Sequence, residues 1–295
     1  MNISISNDQI QMQISTLGAQ PNSIVYQGIQ YLWQGTEDTW PEHAPVLFPV
    51  VGRCLNNQIE VNGRRYPMPQ HGFAKDMEFT IAEKGEDFVT FLLASNEETL
   101  KMYPYSFRFY VSYQLKGKKI ITSFRIENIS HQEMFFGIGG HPGYCCPLNG
   151  EGDFTDWVLA FNEDEPLYSI PVTPEGVIRA PQNDEQKIRI DHKKGIVPLK
   201  KELFIPDAMI FENLKSKTVT IRHKNQEKGV QVDFSEFDTL AIWTLTPENA
   251  QYVCIEPWHG MAHVDGESYA LKEKKGIQSL LPEQSRIYAF TTELL

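Results

Sequence analysis

The sequence predicts an all-β protein built as one large antiparallel β-sandwich. Runs that alternate apolar and polar residues recur about every 10–15 residues along the 295-residue chain, as is typical of strands with one buried face. The 20 glycines and 18 prolines are spread between these runs, where they favour turns. Long segments with the periodicity of an amphipathic helix are rare. These observations favour antiparallel sheets connected by short turns.

The first strands are predicted from alternation on either side of short turns. Residues 3–14 carry isoleucine or methionine at every second position before and after an Asn7-Asp8 turn. Asn62-Gly63 is a dipeptide that favours a hairpin, and it lies between two apolar positions. Lys116-Gly117-Lys118 joins two β-rich runs into a second hairpin.

The remaining elements are predicted in the same way. Strands are expected at residues 88–93, 107–113, 119–126, 219–221, 230–234, 240–244, 252–255 and 286–290. Only Glu97–Tyr103 has a helical pattern, with Ser95 or Asn96 as its N-cap and Pro104 after its end.

The domain organisation follows from what lies between the strands. A length of 295 residues allows either two domains or one large sandwich. No Gly/Ser-rich linker or low-complexity segment separates two parts, and the polar residues 181–194 are interpreted as an exposed connection. We therefore expect residues 1–295 to form a single domain.

Composition and charge exclude several classes of protein. Hydrophobic residues make up 41% and charged residues 22% of the chain, which excludes a disordered chain, a collagen-like repeat and a coiled coil. The net charge of −11 disfavours nucleic-acid binding, because phosphate recognition needs a basic face. No nucleic-acid partner is expected.

The cellular compartment is inferred from targeting and cysteine signals. No run of 18 apolar residues exists, so no transmembrane helix is expected. Residues 1–6 lack the basic and apolar regions of a signal peptide. The four cysteines form no C-x-x-C pair and are expected to be free thiols. These features predict a cytoplasmic protein.

Three segments place an ionisable residue beside glycine or proline at the end of an apolar strand. Loops at the ends of rigid strands are where binding and catalytic residues tend to lie. The first segment contains Arg53 and, after the predicted hairpin, His71. The second contains His141 after Gly139-Gly140, and the third contains Glu256. The sequence therefore gives two histidines, one arginine and one carboxylate as candidate site residues.

Each candidate also has a structural interpretation. His71 beside a glycine suits a turn as well as a proton-transfer site, and Gly139-Gly140 suits a β-bulge. Glu256 is expected at the rim of a sheet or partly buried, and a buried carboxylate needs a partner. With Trp258 and other aromatic residues nearby, the four candidates suit a sugar ring, because paired groups of different pKa can exchange protons with sugar oxygens.

Other kinds of site find less support. H-E-x-x-H, H-x-H and C-x-x-C spacings are absent, so no metal site is expected. The nucleophile motif G-x-S-x-G is absent as well. The glycine-rich residues 137–140 are not interpreted as a phosphate loop, because Pro142 follows and no helix does.

The candidate segments resemble motifs of the aldose 1-epimerase (galactose mutarotase) superfamily, above all its LacX-like branch. Pro69–Lys75 is similar to the Q-H-G-F-A-R/K segment, and Pro45–Arg53 to the L-F-P-x-x-G-R strand. Gly139–Pro142 resembles the G-G-H-P turn, and Ile255–Trp258 the late glutamate motif. The four motifs occur in the family's order and cover most of the chain.

The resemblance implies a galactose mutarotase-type β-sandwich with a sugar site in a cleft across one sheet. By position, Glu256 corresponds to the general base, His141 to the general acid and His71 to a second histidine near the ring oxygen. Arg53 and Asp207 correspond to substrate-binding residues. Converting one anomer of an aldose into the other takes a proton from O1 and delivers one to O5. This chemistry needs a small sugar as partner and no cofactor.

Two departures from the family's patterns bear on the substrate. The hexose-6-phosphate branch uses additional basic residues, and only Arg53, Arg64 and Arg65 form a candidate set here. The Asn-x-x-His signature of the galactose enzymes is replaced by Pro-Gln-His-Gly-Phe. The acidic net charge favours a neutral free aldose. A hexose-6-phosphate 1-epimerase and a sugar-binding protein without turnover stay open as alternatives, as does the oligomeric state.

Overall fold

The computed structural model describes residues 1–181 and 183–295 and confirms an all-β protein. Strands hold 46% of the residues and helices 9%. The strands are β1 Asn2–Ser6, β2 Ile10–Ser15, β3 Pro21–Tyr26, β4 Ile29–Gln30, β5 Val46–Leu47, β6 Gln58–Val61, β7 Arg64–Pro67, β8 Thr80–Lys84, β9 Phe88–Ala94, β10 Phe107–Lys116, β11 Lys119–Asn128, β12 Met134–Phe136, β13 Ile138–Gly140, β14 Gly143–Cys145, β15 Trp157–Phe161, β16 Leu167–Ser169, β17 Ile188–Ile190, β18 Ile196–Pro198, β19 Met209–Glu212, β20 Thr218–His223, β21 Gly229–Asp233, β22 Thr239–Trp243, β23 Tyr252–His259, β24 Gln278–Leu280 and β25 Ser285–Leu294.

The helices are short. One α-helix, α1, spans Glu97–Met102, and the 3₁₀ turns are Leu55–Asn57, Ala74–Asp76, Leu148–Gly150, Phe154–Asp156, Asp184–Gln186, Lys201–Phe204 and Leu271–Glu273. The side chain of Asn96 accepts hydrogen bonds from the main-chain N–H groups of Glu98 and Thr99, so Asn96 is the N-cap of α1. The predicted helix is confirmed, and it ends one residue earlier than expected.

The strands form two large sheets and several smaller ones. A nine-stranded sheet has the order β18-β15-β20-β21-β25-β11-β10-β9-β8, and a six-stranded sheet has the order β19-β22-β23-β13-β5 with β14 also paired to β23. A four-stranded sheet contains β1 to β4, and three ribbons pair β6 with β7, β12 with β24 and β16 with β17. Adjacent strands in these sheets run antiparallel, for example β10 with β11 and β22 with β23.

The predicted hairpins are confirmed in position and register. Lys116 pairs with Lys119 at the β10–β11 turn, and Val61 pairs with Arg64 across Asn62-Gly63. The alternating apolar residues of β1 and β2 are buried, as expected for strands with one face on the core. The described residues of the polar segment 181–194 are mostly exposed, as expected, and the segment also contains β17, which pairs with β16.

Aromatic side chains connect the two large sheets across a common core. Phe48, which directly follows β5, stacks on Phe109 of β10 with ring centroids 4.6 Å apart. Phe109 also contacts Phe124 of β11, and all three rings are fully buried. The inner faces of both sheets therefore share one hydrophobic core, and the outer face of the six-stranded sheet is left for other segments to cover.

No helix in the described part of the chain has the length and apolar character needed to cross a membrane. The single domain expected over residues 1–295 stays a prediction.

Replacing Phe109 by alanine should lower the free energy of unfolding by about 3–5 kcal/mol, because a buried aromatic ring is lost and a cavity is left between the sheets. Urea denaturation followed by tryptophan fluorescence measures this change. Ile287→Ala is the control, since Ile287 is 59% exposed and its loss should change stability by less than about 0.5 kcal/mol. Equal effects of the two substitutions would contradict the position assigned to Phe109.

Candidate active site

The five site residues predicted from the sequence line one cavity of about 540 Å³: Arg53, His71, His141, Asp207 and Glu256. The cavity lies on the outer face of the six-stranded sheet, over β22 and β23. Loops that follow β5 and β7, the turn between β13 and β14, and the segment before β19 converge there. Residues far apart in the sequence are therefore brought to one place.

Strand β23 places Glu256 in the floor of the cavity. Successive side chains of a strand point to opposite faces of the sheet. Val253 and Ile255 point into the common core, so Cys254 and Glu256 point to the outer face. Glu256 is 1% exposed in the middle of β23 and not at its end. The expectation that Glu256 lies at the rim of a sheet or is only partly buried is wrong, because covering loops bury the outer face as well.

His141 lies in the turn between β13 and β14, which main-chain hydrogen bonds hold from both sides. The His141 N–H donates to the carbonyl of Pro45 at 3.1 Å, and the carbonyl of Pro142 accepts from the N–H of Ile255 at 3.2 Å. This attachment to β23 brings the Nε2 atom of His141 to 3.2 Å from the Oε2 atom of Glu256. The buried carboxyl group therefore has an imidazole beside it, although the two side chains do not have the geometry of a hydrogen bond.

Burial governs the protonation of this pair. It raises the pKa of the Glu256 carboxyl well above its usual value, and the nearby charge of Asp207 raises it further. Burial also lowers the pKa of His141 well below its usual value, and His71 lowers it further. Both side chains therefore favour their uncharged forms. The neutral Glu256 carboxyl group carries a proton, and Nε2 of the neutral His141 lies 3.2 Å from its Oε2 atom.

His71 is held in a left-handed backbone conformation beside the pair. Its φ is +64°, a region in which a residue other than glycine needs support from its surroundings. The N–H of Gly52 donates to Nδ1 of His71 at 3.1 Å, and Nε2 of His71 lies 3.4 Å from the amide nitrogen of Gln70. The ring meets that of His141 edge-on, with centroids 5.5 Å apart. Burial, with a smaller effect of the Lys75 charge, lowers the pKa of His71 to about 4.

Arg53 and Asp207 both line the cavity beside the loop that contains Glu175 and Gly176. Arg53 is exposed and donates to the carbonyl of Glu175 at 3.3 Å and to Oε1 of Gln70 at 3.4 Å. Asp207 directly precedes β19, as expected, and its Oδ1 atom accepts from the N–H of Ala208 at 2.8 Å. Burial raises the pKa of Asp207, whereas the Arg53 charge lowers it.

Aromatic residues form the rest of the wall. Trp40, Trp243 and Trp258 line the cavity, and the ring of Trp40 lies 5.1 Å from that of His141. Trp258 was noted from the sequence, but Trp40 and Trp243 were missed. Trp243 pairs with Cys254 in the β22–β23 register, so strand alternation could have placed it on the outer face once that pairing was known. No motif around Trp40 points to the cavity.

Two acidic residues of the cavity were also missed. Glu42 and Asp76 line it beside Lys75. The Nζ atom of Lys75 lies 2.8 Å from Oε1 of Glu42 and 3.0 Å from Oδ1 of Asp76. The Lys75 charge is therefore already paired. Arg64 and Arg65 are not part of the cavity wall, since their guanidinium groups lie over the rings of Tyr66 and Tyr269.

One arrangement at this site has the spacing of metal ligands. Among the described residues, His141, Cys254 and Glu256 offer ligand atoms within 4.8 Å of one another. A metal would need a deprotonated thiol, and burial raises the pKa of Cys254 well above its usual value. The absence of a metal and of a cofactor, as expected from the sequence, stays a prediction.

Known proteins share this architecture over the whole chain. A galactose mutarotase-related enzyme from Lactobacillus acidophilus superposes with a TM-score of 0.93 at 31% identity, covering 100% of this chain and 97% of that one. A galactose mutarotase-like protein from Lactobacillus casei superposes with a TM-score of 0.90 at 27% identity, covering 100% of both chains. The fold is therefore that of the galactose mutarotase-like β-sandwiches.

Sequence comparison places the chain within one family of this class. The family model for aldose 1-epimerase matches residues 1–274. The plasmid-encoded protein LacX of Lactococcus lactis is 35% identical over 296 aligned positions, covering 96% of this chain and 95% of LacX. The chain belongs to the aldose 1-epimerase family, and the resemblance inferred from the four motifs is confirmed.

Stability should depend on pH through His71. In the unfolded chain a histidine titrates near pH 6.5, so between about pH 6.5 and pH 4 the unfolded state binds more protons than the folded state. The free energy of unfolding therefore decreases as the pH falls from about 6.5 to about 4. His71→Asn removes this contribution. As the pH falls, the wild type should therefore lose more of its free energy of unfolding than the variant does.

Urea denaturation at pH 7 and pH 4.5 measures that difference. His131→Asn, at an exposed position, controls for loss of an imidazole in general. A difference that is the same at both pH values would contradict burial of a neutral His71.

Proposed function

We propose that this protein is an aldose 1-epimerase, which interconverts the α and β anomers of a free aldose by opening and closing its ring. The contact of 3.2 Å between Nε2 of His141 and Oε2 of Glu256 carries the proposal. O1 and O5 of an aldose are bonded to the same carbon atom. A proton acceptor and a proton donor this close together can therefore serve both oxygens of one bound sugar.

In the proposed reaction the Glu256 carboxyl group first passes its proton to His141, whose Nε2 atom is 3.2 Å away, which gives a carboxylate and an imidazolium. Glu256 then takes the proton from O1 while His141 delivers its proton to O5. The C1–O5 bond breaks, O1 becomes the oxygen of a free aldehyde, and rotation about the C1–C2 bond presents the other face of the carbonyl carbon. On closure O5 attacks C1, His141 takes back the proton from O5, and Glu256 returns one to O1. Atoms and protons balance without a cofactor.

The surrounding residues support the same reaction. The ring of His71 lies 5.5 Å from that of His141, a position that suits the second histidine near the ring oxygen. Arg53 and Asp207 supply a donor and an acceptor at the cavity wall for sugar hydroxyls. The indole rings of Trp40 and Trp243 give flat apolar surfaces of the kind that small-molecule sites use around a few polar groups.

The charges of the cavity favour a neutral sugar over a sugar phosphate. Arg53 and Lys75 are its basic side chains, and Lys75 is paired with Glu42 and Asp76. The acidic side chains of the wall, Asp207 among them, outnumber the basic ones. A phosphate would therefore meet few unpaired cations, and we propose a free aldose such as glucose or galactose as substrate.

A sugar-binding protein without turnover is the alternative from another class. Binding needs hydrogen-bond partners and apolar surfaces, but it does not need a buried acid–base pair, which is costly to desolvate. The pair therefore favours catalysis over binding alone, and turnover distinguishes the two.

Glu256→Gln should lower kcat by about 10²–10⁴-fold, because an amide cannot accept the O1 proton while its shape is nearly unchanged. Polarimetry or NMR of freshly dissolved α-glucose and α-galactose, corrected for the spontaneous rate, measures the change. Glu83→Gln, at an exposed position on β8, is the matched control. A folded Glu256→Gln protein with the wild-type kcat would overturn the role of Glu256.

We expect kcat/KM for glucose to exceed that for glucose 6-phosphate at matched ionic strength. Glu42→Gln removes the nearer carboxylate from Lys75 and should narrow this preference, because the ammonium group becomes available to a phosphate. The anomerisation rates of both sugars with both proteins test the charge argument. Faster conversion of the phosphate by the wild type, falling steeply with added salt, would favour the hexose-6-phosphate alternative.

A further inference from the structure

Buried polar atoms without a hydrogen-bond partner are concentrated at the candidate active site. In the described part of the chain five buried side-chain nitrogen or oxygen atoms lack a partner, and four belong to residues in or beside the cavity. These four are Nδ1 of His141, the hydroxyl of Tyr252, Oε2 of Glu256 and Nε1 of Trp258. Native proteins rarely leave such atoms unpaired, and each case calls for an explanation.

Two of the four atoms are chemically complementary and lie close in the fold. Glu256 and Trp258 are two residues apart on β23, so their side chains leave the same face of the strand. Both line the cavity, and they are 1% and 5% exposed. An indole N–H can only donate a hydrogen bond, and an ionised carboxylate can only accept one. The strand thus carries a spare donor beside a spare acceptor.

Strand β13, which neighbours β23, leaves space for the edge of the Trp258 ring that carries Nε1. Gly139 of β13 pairs with Trp258 in the β13–β23 register. A Cβ atom on Gly139 would lie 2.7 Å from Cδ1 of Trp258, the ring carbon bonded to Nε1, and 2.7 Å from the carbonyl oxygen of Pro257. Any larger residue at position 139 would displace the N–H edge. Position 139 in the G-G-H-P turn therefore requires glycine for a steric reason, in addition to the β-bulge considered from the sequence.

We propose that Trp258 is a positioning residue that donates its indole N–H to the carboxylate of Glu256 and so stabilises this group in its ionised form. The inference deepens the proposed function, since a general base must ionise inside a cavity whose burial favours the neutral acid. The two side chains share one face of β23 and one cavity, which places the donor and the acceptor next to each other along the strand. The Trp258 N–H lowers the pKa of Glu256, whereas burial raises it.

The other groups around Glu256 do not replace this donor. From the turn after β13, His141 is the uncharged partner described above. From the segment before β19, Asp207 disfavours a second negative charge. On β23 itself the Cys254 thiol and the Tyr252 phenol have raised pKa values and stay protonated.

The two basic side chains of the cavity, Arg53 and Lys75, have other partners. Arg53 is bonded to a main-chain carbonyl and to Gln70, and Lys75 is paired with Glu42 and Asp76. Each of these groups is present in both the wild type and a Trp258 variant. A change in the titration of Glu256 on substitution of Trp258 is therefore assigned to the indole N–H.

The test is Trp258→Phe, which keeps an aromatic ring and removes the donor. Infrared difference spectra recorded against pH give the carboxylic acid band of Glu256, which is assigned by its absence in Glu256→Gln. Loss of one hydrogen bond to a charged group should raise the midpoint of this titration by about one pH unit or more. Trp157→Phe is the matched control, because it removes a buried indole N–H that donates to the carbonyl of Glu151 at 3.0 Å, outside the cavity.

An unchanged midpoint in Trp258→Phe would overturn the inference. An unchanged midpoint together with a raised KM would also overturn it and would assign the N–H to the sugar. If Trp258→Phe does not fold, benzothienylalanine at position 258 replaces the N–H by sulfur in a ring of nearly the same shape, and the same shift is expected. The infrared titration needs no turnover, so a raised midpoint in a protein without anomerase activity would support this inference and reject the proposed function.

Discussion

Burial of β23 on both of its faces is the constraint on which the rest of the structure depends. One face, with Val253 and Ile255, completes the core shared by the two large sheets. The other, with Cys254 and Glu256, is covered by loops and aromatic rings. If that face were open to water, the Glu256 carboxyl group would titrate in its ordinary range. Because it is covered, the same strand serves the stability of the fold and the chemistry of the site.

The aromatic residues around β23 make this covering possible. The ring of Trp40 stacks on that of Tyr252 with centroids 5.2 Å apart, and Trp243 packs within 5.8 Å of both. Large rigid rings exclude water over a wide area and leave the few polar atoms between them poorly hydrated. Unpartnered buried atoms are unfavourable for stability, and their concentration at one place is what a functional site is expected to show.

A basic side chain at the cavity wall is available to a ligand only if its charge is not already paired within the protein. Lys75 lies in a motif of the sequence and at the cavity wall, yet two carboxylates hold it. Arg53 makes only long contacts, at 3.3 and 3.4 Å. The two side chains therefore differ in what they offer to a substrate, although both carry one positive charge.

The sequence by itself determined the fold class, the longer strands, the hairpins and the four motif residues Arg53, His71, His141 and Glu256. These follow from local signals, namely alternation, turn dipeptides and short motifs, which act over a few residues. The predicted strands did not include β3, β8 and β15, which have five or six residues. Strands of three residues, such as β16 and β24, were not predicted either, because they are too short to show alternation.

Only the tertiary structure decided the environment of the site. It showed that Glu256 is fully buried, that Lys75 is paired and that Trp40 and Trp243 face the cavity. These properties depend on contacts between segments up to about 200 residues apart in the chain, and no local pattern encodes which segment will cover which strand. The physical reason is that burial, and with it the protonation of a side chain, is a property of everything packed around that side chain and not of its neighbours in sequence.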